Sequence, residues 1–447
     1  MADAAQDLQR WIPRLLAAWR ASRGRPSAPS PAPLRGAKEV RGQAPPRHER
    51  GRGGPHGRFS PRGPGATARP PADVLAPDEL REVAAGVGRL SRGLTREREL
   101  AGARYLDDER LLGAYLLFYW PTSYLQARGT LSELPRRPRS VLDLGSGPGP
   151  MAFAALDAGA AEVVAADRSA RALATARALA VDAGEPIATR EWNPSRGRPL
   201  AELAGGRRFD VVIMGHVLNE LFAEGERRSG GPSDEFVRRA DLLAEAAGLL
   251  APEGSLLVVE PALRDTSRAL LRVRDLLVAR GFAVRAPCLF RGACPALLRE
   301  TDWCHAERPI EPPPLVAQIG KAAGLRKEAV KMSYLVLAPP GAAWAEPPPG
   351  RVFRIVSEPL PSKGRLRYMG CGPEGRLGLS LQEKHVTDGN RRFASLLRGD
   401  VIEIVGAEPR GDGLALAEGS TVRIVADAGR PVPSAPPARE PGPARDP

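Results

Sequence analysis

The residues most able to do chemistry sit in one short run, VLDLGSGPGP, from Val141 to Pro150. Gly145, Gly147 and Gly149 recur at every second position. Glycines without Cβ atoms permit positive φ and let a ligand approach the backbone closely. The apolar residues before them read as a buried parallel strand, and the Ala-rich stretch after them as a helix whose first N–H groups are unpaired. Strand, glycine turn and helix together open a nucleotide-type α/β domain. The dinucleotide pattern G-x-G-x-x-G requires a third glycine at position 150, which is Pro150. A second acid, Asp167, closes the apolar run from Val163 to Ala166, where a carboxylate can accept hydrogen bonds from both hydroxyls of a ribose.

With Asp143 two residues before Gly145, the pattern is D-x-G-x-G-x-G, which resembles the first motif of the S-adenosylmethionine (SAM) methyltransferases. Methyl transfer from SAM needs an aligned nucleophile and little else, because the cofactor already carries the charge. The substrate class is normally read after the fourth strand, here MGHVLNEL, Met214 to Leu221. The Asn/Asp-Pro-Pro-aromatic loop of amino-group methylation is absent there. Asn193-Pro194 follows the third strand and reads as a decoy. His216, Asn219 and Glu220 remain as polar residues at the carboxyl end of a parallel strand. His216 and Asn219 are assigned to the cofactor site with the glycines and the two acids, and no catalytic base can be named.

The four cysteines form a second constellation. Cys288, Cys294 and Cys304 are spaced C-x5-C-x9-C, and Cys371 lies in GCGPEG. The C-x2-C pairs of zinc ribbons are missing. Four thiolates on long loops suit an iron–sulfur cluster, and His305 keeps a Cys3His zinc site open. Spacing alone leaves cluster, zinc and unrelated thiols as alternatives.

These groups must be positioned by a chain of 447 residues, long enough for two or three domains. Net charge is +13, but residues 1–75 hold 14 Lys and Arg against five Asp and Glu, so the basicity is concentrated there. Residues 1–20 can form one short helix. Residues 21–72, rich in Arg, Pro, Gly and Ser, are expected to be disordered. The whole of 1–75 reads as a basic tail able to contact phosphate. A helical region spans 76–138. In it AYLLFYWPTSY, Ala114 to Tyr124, reads as a buried helix end stopped by Pro121. The α/β domain covers 139–340, with strands at Val141–Leu144, Val163–Ala166, Ile187–Trp192, Asp210–Met214 and Leu256–Val259. Two more are expected at Phe282–Ala286 or Ala329–Lys331, and at Tyr334–Leu337. A cysteine-loop insertion occupies 286–308. A Pro-rich linker around 347–349 leads to a small β module, 351–427, and a tail, 428–447. No run of 18 apolar residues exists, so no membrane helix is expected. The low cysteine count fits a reducing cytoplasm, with an organelle matrix as the alternative.

Several segments together resemble the methyltransferase-like assembly factors of the mitochondrial small ribosomal subunit and their bacterial relatives. They are APC-x5-CP-x7-WCH at Ala286 to His305, DLGSGPG, GHVLNEL, AYLLFYWPTSY, EPALRDTSR at Glu260 to Arg268, and Cys371 followed by Gly375. The resemblance covers about residues 77–427. It implies a seven-stranded Rossmann-like SAM-methyltransferase sheet with an N-terminal helical region and a C-terminal β module. It also implies contact with small-subunit rRNA, a role in subunit assembly or translation, and no membrane or DNA partner. Cys288, Cys294, Cys304 and Cys371 become ligands of a [4Fe–4S] cluster. Asp143, Gly145, Gly147, Gly149 and Asp167 become the SAM site. Relatives often carry Cys-Pro-His after the first cysteine, where this chain has Cys288-Leu289-Phe290. Two other readings stand beside a methyltransferase: a non-catalytic assembly factor that keeps the fold, and a small-molecule methyltransferase with structural zinc.

Overall fold

The computed structural model describes residues 2–23, 74–100, 105–194, 199–222, 233–344, 346 and 350–428. The expected disordered stretch lies outside these residues from 24 to 73, as do the linker at 347–349 and the tail from 429.

Residues 2–22 are not part of a tail. They form α1 (Ala2–Gln9) and α2 (Trp11–Ser22), where one helix was expected. Trp11, Leu15, Leu16 and Trp19 are fully buried. Apolar residues at helical spacing drive this docking, which a charge count over residues 1–75 conceals. Trp11 Nε1 donates to Asp157 Oδ2 at 2.8 Å, and Arg10 pairs with Asp157 and Glu185. Then come α3 (Pro77–Ser91), α4 (Glu109–Ala114) and α5 (Trp120–Leu131). Pro121 does not stop a helix, contrary to expectation. A π-helical turn over Tyr115–Tyr119 leads into α5, and Pro121 sits in its first turn, where no N–H is needed.

The central domain alternates strand and helix: β1 (Ser140–Leu144), α6 (Pro150–Asp157), β2 (Glu162–Asp167), α7 (Ala170–Ala183), β3 (Ile187–Glu191), α8 (Leu200–Ala204), β4 (Phe209–Gly215), α9 (Ser233–Ala247), β5 (Leu250–Pro261), α10 (Arg264–Ala279) and β6 (Ala283–Ala286). Next are β7 (Ala306–Pro309), α11 (Pro314–Ala322) and β8 (Ala329–Ala338). The sheet order is β3-β2-β1-β4-β5-β8-β6. β1 to β5 are parallel, and β8 runs antiparallel to β5. The two short runs at 329–331 and 334–337 are therefore one strand. An unexpected eighth strand, β7, pairs with the free half of the same edge of β8 that β6 uses. The cysteine loop is the chain between them.

Alternation along the strands serves two cores. Val141, Val211, Ile213, Leu257 and Val259 face α1, α2, α5 and α6, while Leu142, Leu144, Val212, Met214, Leu256 and Val258 face α8, α9 and α10.

The C-terminal module is a second eight-stranded sheet: β9 (Arg351–Ile355), β10 (Leu360–Ser362), β11 (Arg365–Gly372), β12 (Gly375–Gln382), β13 (Val401–Val405), β14 (Glu408–Arg410), β15 (Gly413–Leu416) and β16 (Thr421–Ala426). It joins the rest through buried charge. Glu133, just beyond α5, accepts from Arg308 of β7 at 2.9 Å and from the Tyr334 hydroxyl at 2.5 Å. It also pairs with Arg354 of β9 at 3.2 Å.

Candidate functional site

A cavity of about 290 Å³ opens beyond the carboxyl ends of β1, β2, β4 and β5. The strand ends place its floor. Gly145 and Gly147 line it with φ of +75° and +54°. A Cβ on Gly145 would lie 2.6 Å from the Val217 side chain, so only glycine fits. Asp167, ending β2, lines the cavity and closes the loop: its carboxylate accepts from Gly147 N–H at 2.8 Å and Ser169 N–H at 2.7 Å. Burial pushes this carboxyl up, against the pull of those two donors.

Asp143 and Gly149 stand behind the cavity rather than on its wall. Asp143 is fully buried under the loop, one carboxylate oxygen has no partner among the described residues, and burial pushes it up to about 7. Gly149, at φ +82°, caps α6. Trp120 of α5 ties helix to loop, its Nε1 donating to Pro148 O at 3.1 Å.

His216 and Asn219 reach the cavity, as does Glu220. His216 directly follows β4 at φ +60°, with its N–H on Val259 O at 2.7 Å. Burial, then the nearby Lys327, push the imidazole down to about 4. Asn219 N–H donates to Glu260 Oε1 at 3.2 Å, and the buried Glu260 carboxyl is pushed up to about 7 by desolvation.

Residues without a motif complete the wall: Tyr105, Tyr115, Tyr119, Ser123, Gln126, Lys327 and Lys331. The aromatic stretch is thus partly cavity lining, not wholly core. Tyr115 and Tyr119 stack with centroids 6.3 Å apart. Pro194, set aside as a decoy, also lines the wall.

A second cavity, of about 70 Å³, lies between the cysteine loop and the β module, and all four cysteines line it. All four are free thiols. Burial, and then their mutual repulsion as thiolates, push Cys294 up to about 12, Cys304 to about 11 and Cys371 higher still. The loop is braced by α10. Arg268 donates to Ala296 O, Arg299 O and Asp302 O, Arg274 to Phe290 O and Gly292 O, and Asp275 accepts from Cys294 N–H. Cys371, on β11, is paired across the sheet with Arg354 and Arg376. Arg274, Arg308, Arg354 and Arg376 each keep a buried Nε without a partner among the described residues. His305 lines this cavity too, stacked on Trp303 at 4.2 Å. Among the described residues, no three His, Cys, Asp or Glu side chains converge as ligands of one ion. No helix among them is long and apolar enough to cross a membrane.

Among solved structures, the chain is similar to an O-methyltransferase family protein from Burkholderia thailandensis, at 19% identity over 60% of this chain and 74% of that one, TM-score 0.34. It is also similar to TrmN from Thermus thermophilus, at 20% identity over 50% and 53%, TM-score 0.30. A third is the ribosomal protein L11 methylase from Lactobacillus delbrueckii subsp. bulgaricus, at 14% identity over 49% and 78%, TM-score 0.28. Among curated proteins, none matches the chain in sequence. A family model described as mitochondrial small ribosomal subunit Rsm22 matches residues 112–402, nearly two thirds of the 447, and the chain therefore belongs to the Rsm22 family.

Proposed function

We propose that this chain is a SAM-binding methyltransferase of the small ribosomal subunit, acting on its rRNA and carrying a four-cysteine [4Fe–4S] site. The observation that carries the first part is one cavity, at the carboxyl ends of the parallel strands, that gathers Gly145, Gly147, Asp167, His216 and Asn219. This is where ligands bind in open α/β sheets. The Asp167 carboxylate keeps lone pairs for ribose hydroxyls beyond its two backbone bonds. Gly145 and Gly147 let the cofactor lie against the backbone. Its bound sulfonium supplies the methyl group, and the protein aligns the acceptor. Family membership supports the ribosomal setting, in bacterial cytoplasm or organelle matrix alike.

All four cysteines line one cavity of about 70 Å³, which supports a shared site, and four thiolates carried on long loops suit a cluster. Burial holds the protons on Cys294, Cys304 and Cys371, and metal binding must displace them. Arg354 and Arg376 line the same cavity and pull the Cys304 thiol toward its thiolate, the form a cluster requires. Cys288, Cys294, Cys304 and Cys371 would hold it, and it would serve as a structural tie between loop and module.

Calorimetry with SAM tests the cofactor site. Asp167→Ala should raise Kd at least tenfold, since one charge-assisted bond contributes roughly 1.5–3 kcal/mol; equal affinities would sink the assignment. Mass mapping of small-subunit rRNA with and without the gene tests the reaction. A lost mark restored by wild type but not by Asp167→Ala supports catalysis. An unchanged map with defective subunits supports the scaffold reading.

A further inference from the structure

Gln126 and His216 meet at the cavity wall in an arrangement with one protonation pattern. Gln126 Nε2 donates to Lys331 O at 2.7 Å. A carbonyl only accepts, so this bond fixes the amide and leaves Gln126 Oε1 toward His216 Nε2, also at 2.7 Å. That oxygen only accepts, so His216 Nε2 bears the proton. In the neutral ring Nδ1 then holds the free lone pair. Nδ1 is the one ring nitrogen left for a ligand. The ring is neutral near pH 7, because burial and Lys327 disfavour its charged form. The backbone is costly: φ of +60° on a residue with Cβ is strained, and it occurs at the end of β4, on the cavity wall. The residues beside it suit a nucleobase. Tyr105, Tyr115 and Tyr119 offer ring faces, and Lys327 and Lys331 offer positive charge.

We propose that His216 Nδ1 accepts the N–H of a nucleobase nitrogen that is being methylated, and that Gln126 is the positioning residue that holds His216 in this tautomer. The inference rests on the methyltransferase reading above. In the step, the nitrogen lone pair forms a bond to the methyl carbon. The carbon–sulfur bond breaks, and its electron pair stays on sulfur, which becomes a neutral thioether. The nitrogen, now cationic, yields its proton to Nδ1 and keeps the N–H electron pair. The imidazolium then passes the proton to water. The assignment supplies what the missing Asn/Asp-Pro-Pro-aromatic loop does elsewhere, from the same place after the fourth strand.

The test joins a structural readout to a chemical one. In long-range 15N NMR of histidine-labelled protein, His216, assigned by the signal lost in His216→Ala, should show a protonated Nε2 and a bare Nδ1. Gln126→Leu should abolish that preference. Methyl transfer from tritiated SAM to small subunits purified from cells lacking the gene should fall at least 100-fold in His216→Ala. Rates are compared at SAM concentrations that saturate each protein, and the SAM binding that calorimetry detects in His216→Ala reports that its site is folded. His216→Asn, which tolerates positive φ and whose amide oxygen accepts a hydrogen bond but takes no proton near pH 7, should keep the site folded and lose the rate as His216→Ala does. A proton on Nδ1, or an undiminished rate in His216→Ala, overturns the assignment and leaves the methyltransferase reading standing. Wild type that transfers no methyl overturns that reading, and this assignment with it.

Discussion

Among the described residues Glu133 is the one carboxylate paired with both Arg308 and Arg354, and replacing it by Gln should be among the most damaging isosteric changes available. The side chains of Glu133, Arg308 and Arg354 are 1%, 2% and 5% exposed, so water screens none of them. At 2.9 and 3.2 Å, and an effective dielectric near 20, each attraction is on the order of 5 kcal/mol before desolvation. Most of that gross figure offsets the cost of burying the charges. What the mutation exposes is the residue of that cost: two cations with no counter-charge. Breaking one buried pair typically costs about 3–5 kcal/mol, and domains have only about 5–15 kcal/mol in total. Gln keeps an oxygen for the Tyr334 hydroxyl, so the loss isolates charge. Urea unfolding followed by tryptophan fluorescence should show a midpoint lower by about 1 M or more, for a slope near 3 kcal/mol per molar. Adding Arg354→Met should recover part of the loss. A midpoint within about 0.2 M of wild type would refute the reasoning. It would mean that the carbonyls of Arg398 and Gly399, which these guanidiniums also reach, satisfy both cations alone.

Asp143→Asn should stabilise the protein at pH 8 and leave it unchanged near pH 3. The carboxyl is raised from 3.8 to about 7 on folding, so its contribution is full below 3.8 and is lost as pH rises through 7. The cost at pH 8 is roughly 4 kcal/mol; parallel stability curves for the two proteins would contradict it. Cys371→Ser, purified anaerobically, should lose iron and sulfide and become protease-sensitive near residues 340–350. Full iron content in the mutant would remove Cys371 from the ligand set, and zinc without sulfide in wild type would replace the cluster. Excising residues 24–73, with ten Lys and Arg against three Asp and Glu, should leave the fold intact and make the salt dependence of RNA binding shallower. Deleting residues 1–73 should instead unfold the central domain, because Trp11 and Trp19 go with it. Equal thermal stability of the two deletions would argue against that packing.

Local signals were readable and assembled ones were not. The glycine loop and Asp167 declare themselves because strand, turn and acid follow within 27 residues of one another, and the structure brings them to one cavity. Gln126 and the tyrosines of the π turn lie elsewhere in the chain, in a run whose apolar pattern is indistinguishable from core. Only the docking of α5 on the sheet turns them toward the site. β11 is hard to read from sequence for a related reason. Its Gly370 and Gly372 lower strand propensity, yet a Cβ at either would lie within 2.6 Å of Leu379 or Val352 across the sheet. Close packing demands the very residues that hide the strand. Arg354 and Arg376 reach Cys371 only through that pairing.

The docking of α1 and α2 has a consequence for biosynthesis. Trp11 and its hydrogen-bond partner Asp157 are separated by 146 residues. At about 5–20 residues per second, the first helices leave the translating ribosome roughly 7–30 s before the surface they cover exists. During that interval Trp11, Leu15, Leu16 and Trp19 have nowhere to bury. Residues made well before their partners are thus among the last to settle, and holding chaperones have a long task there.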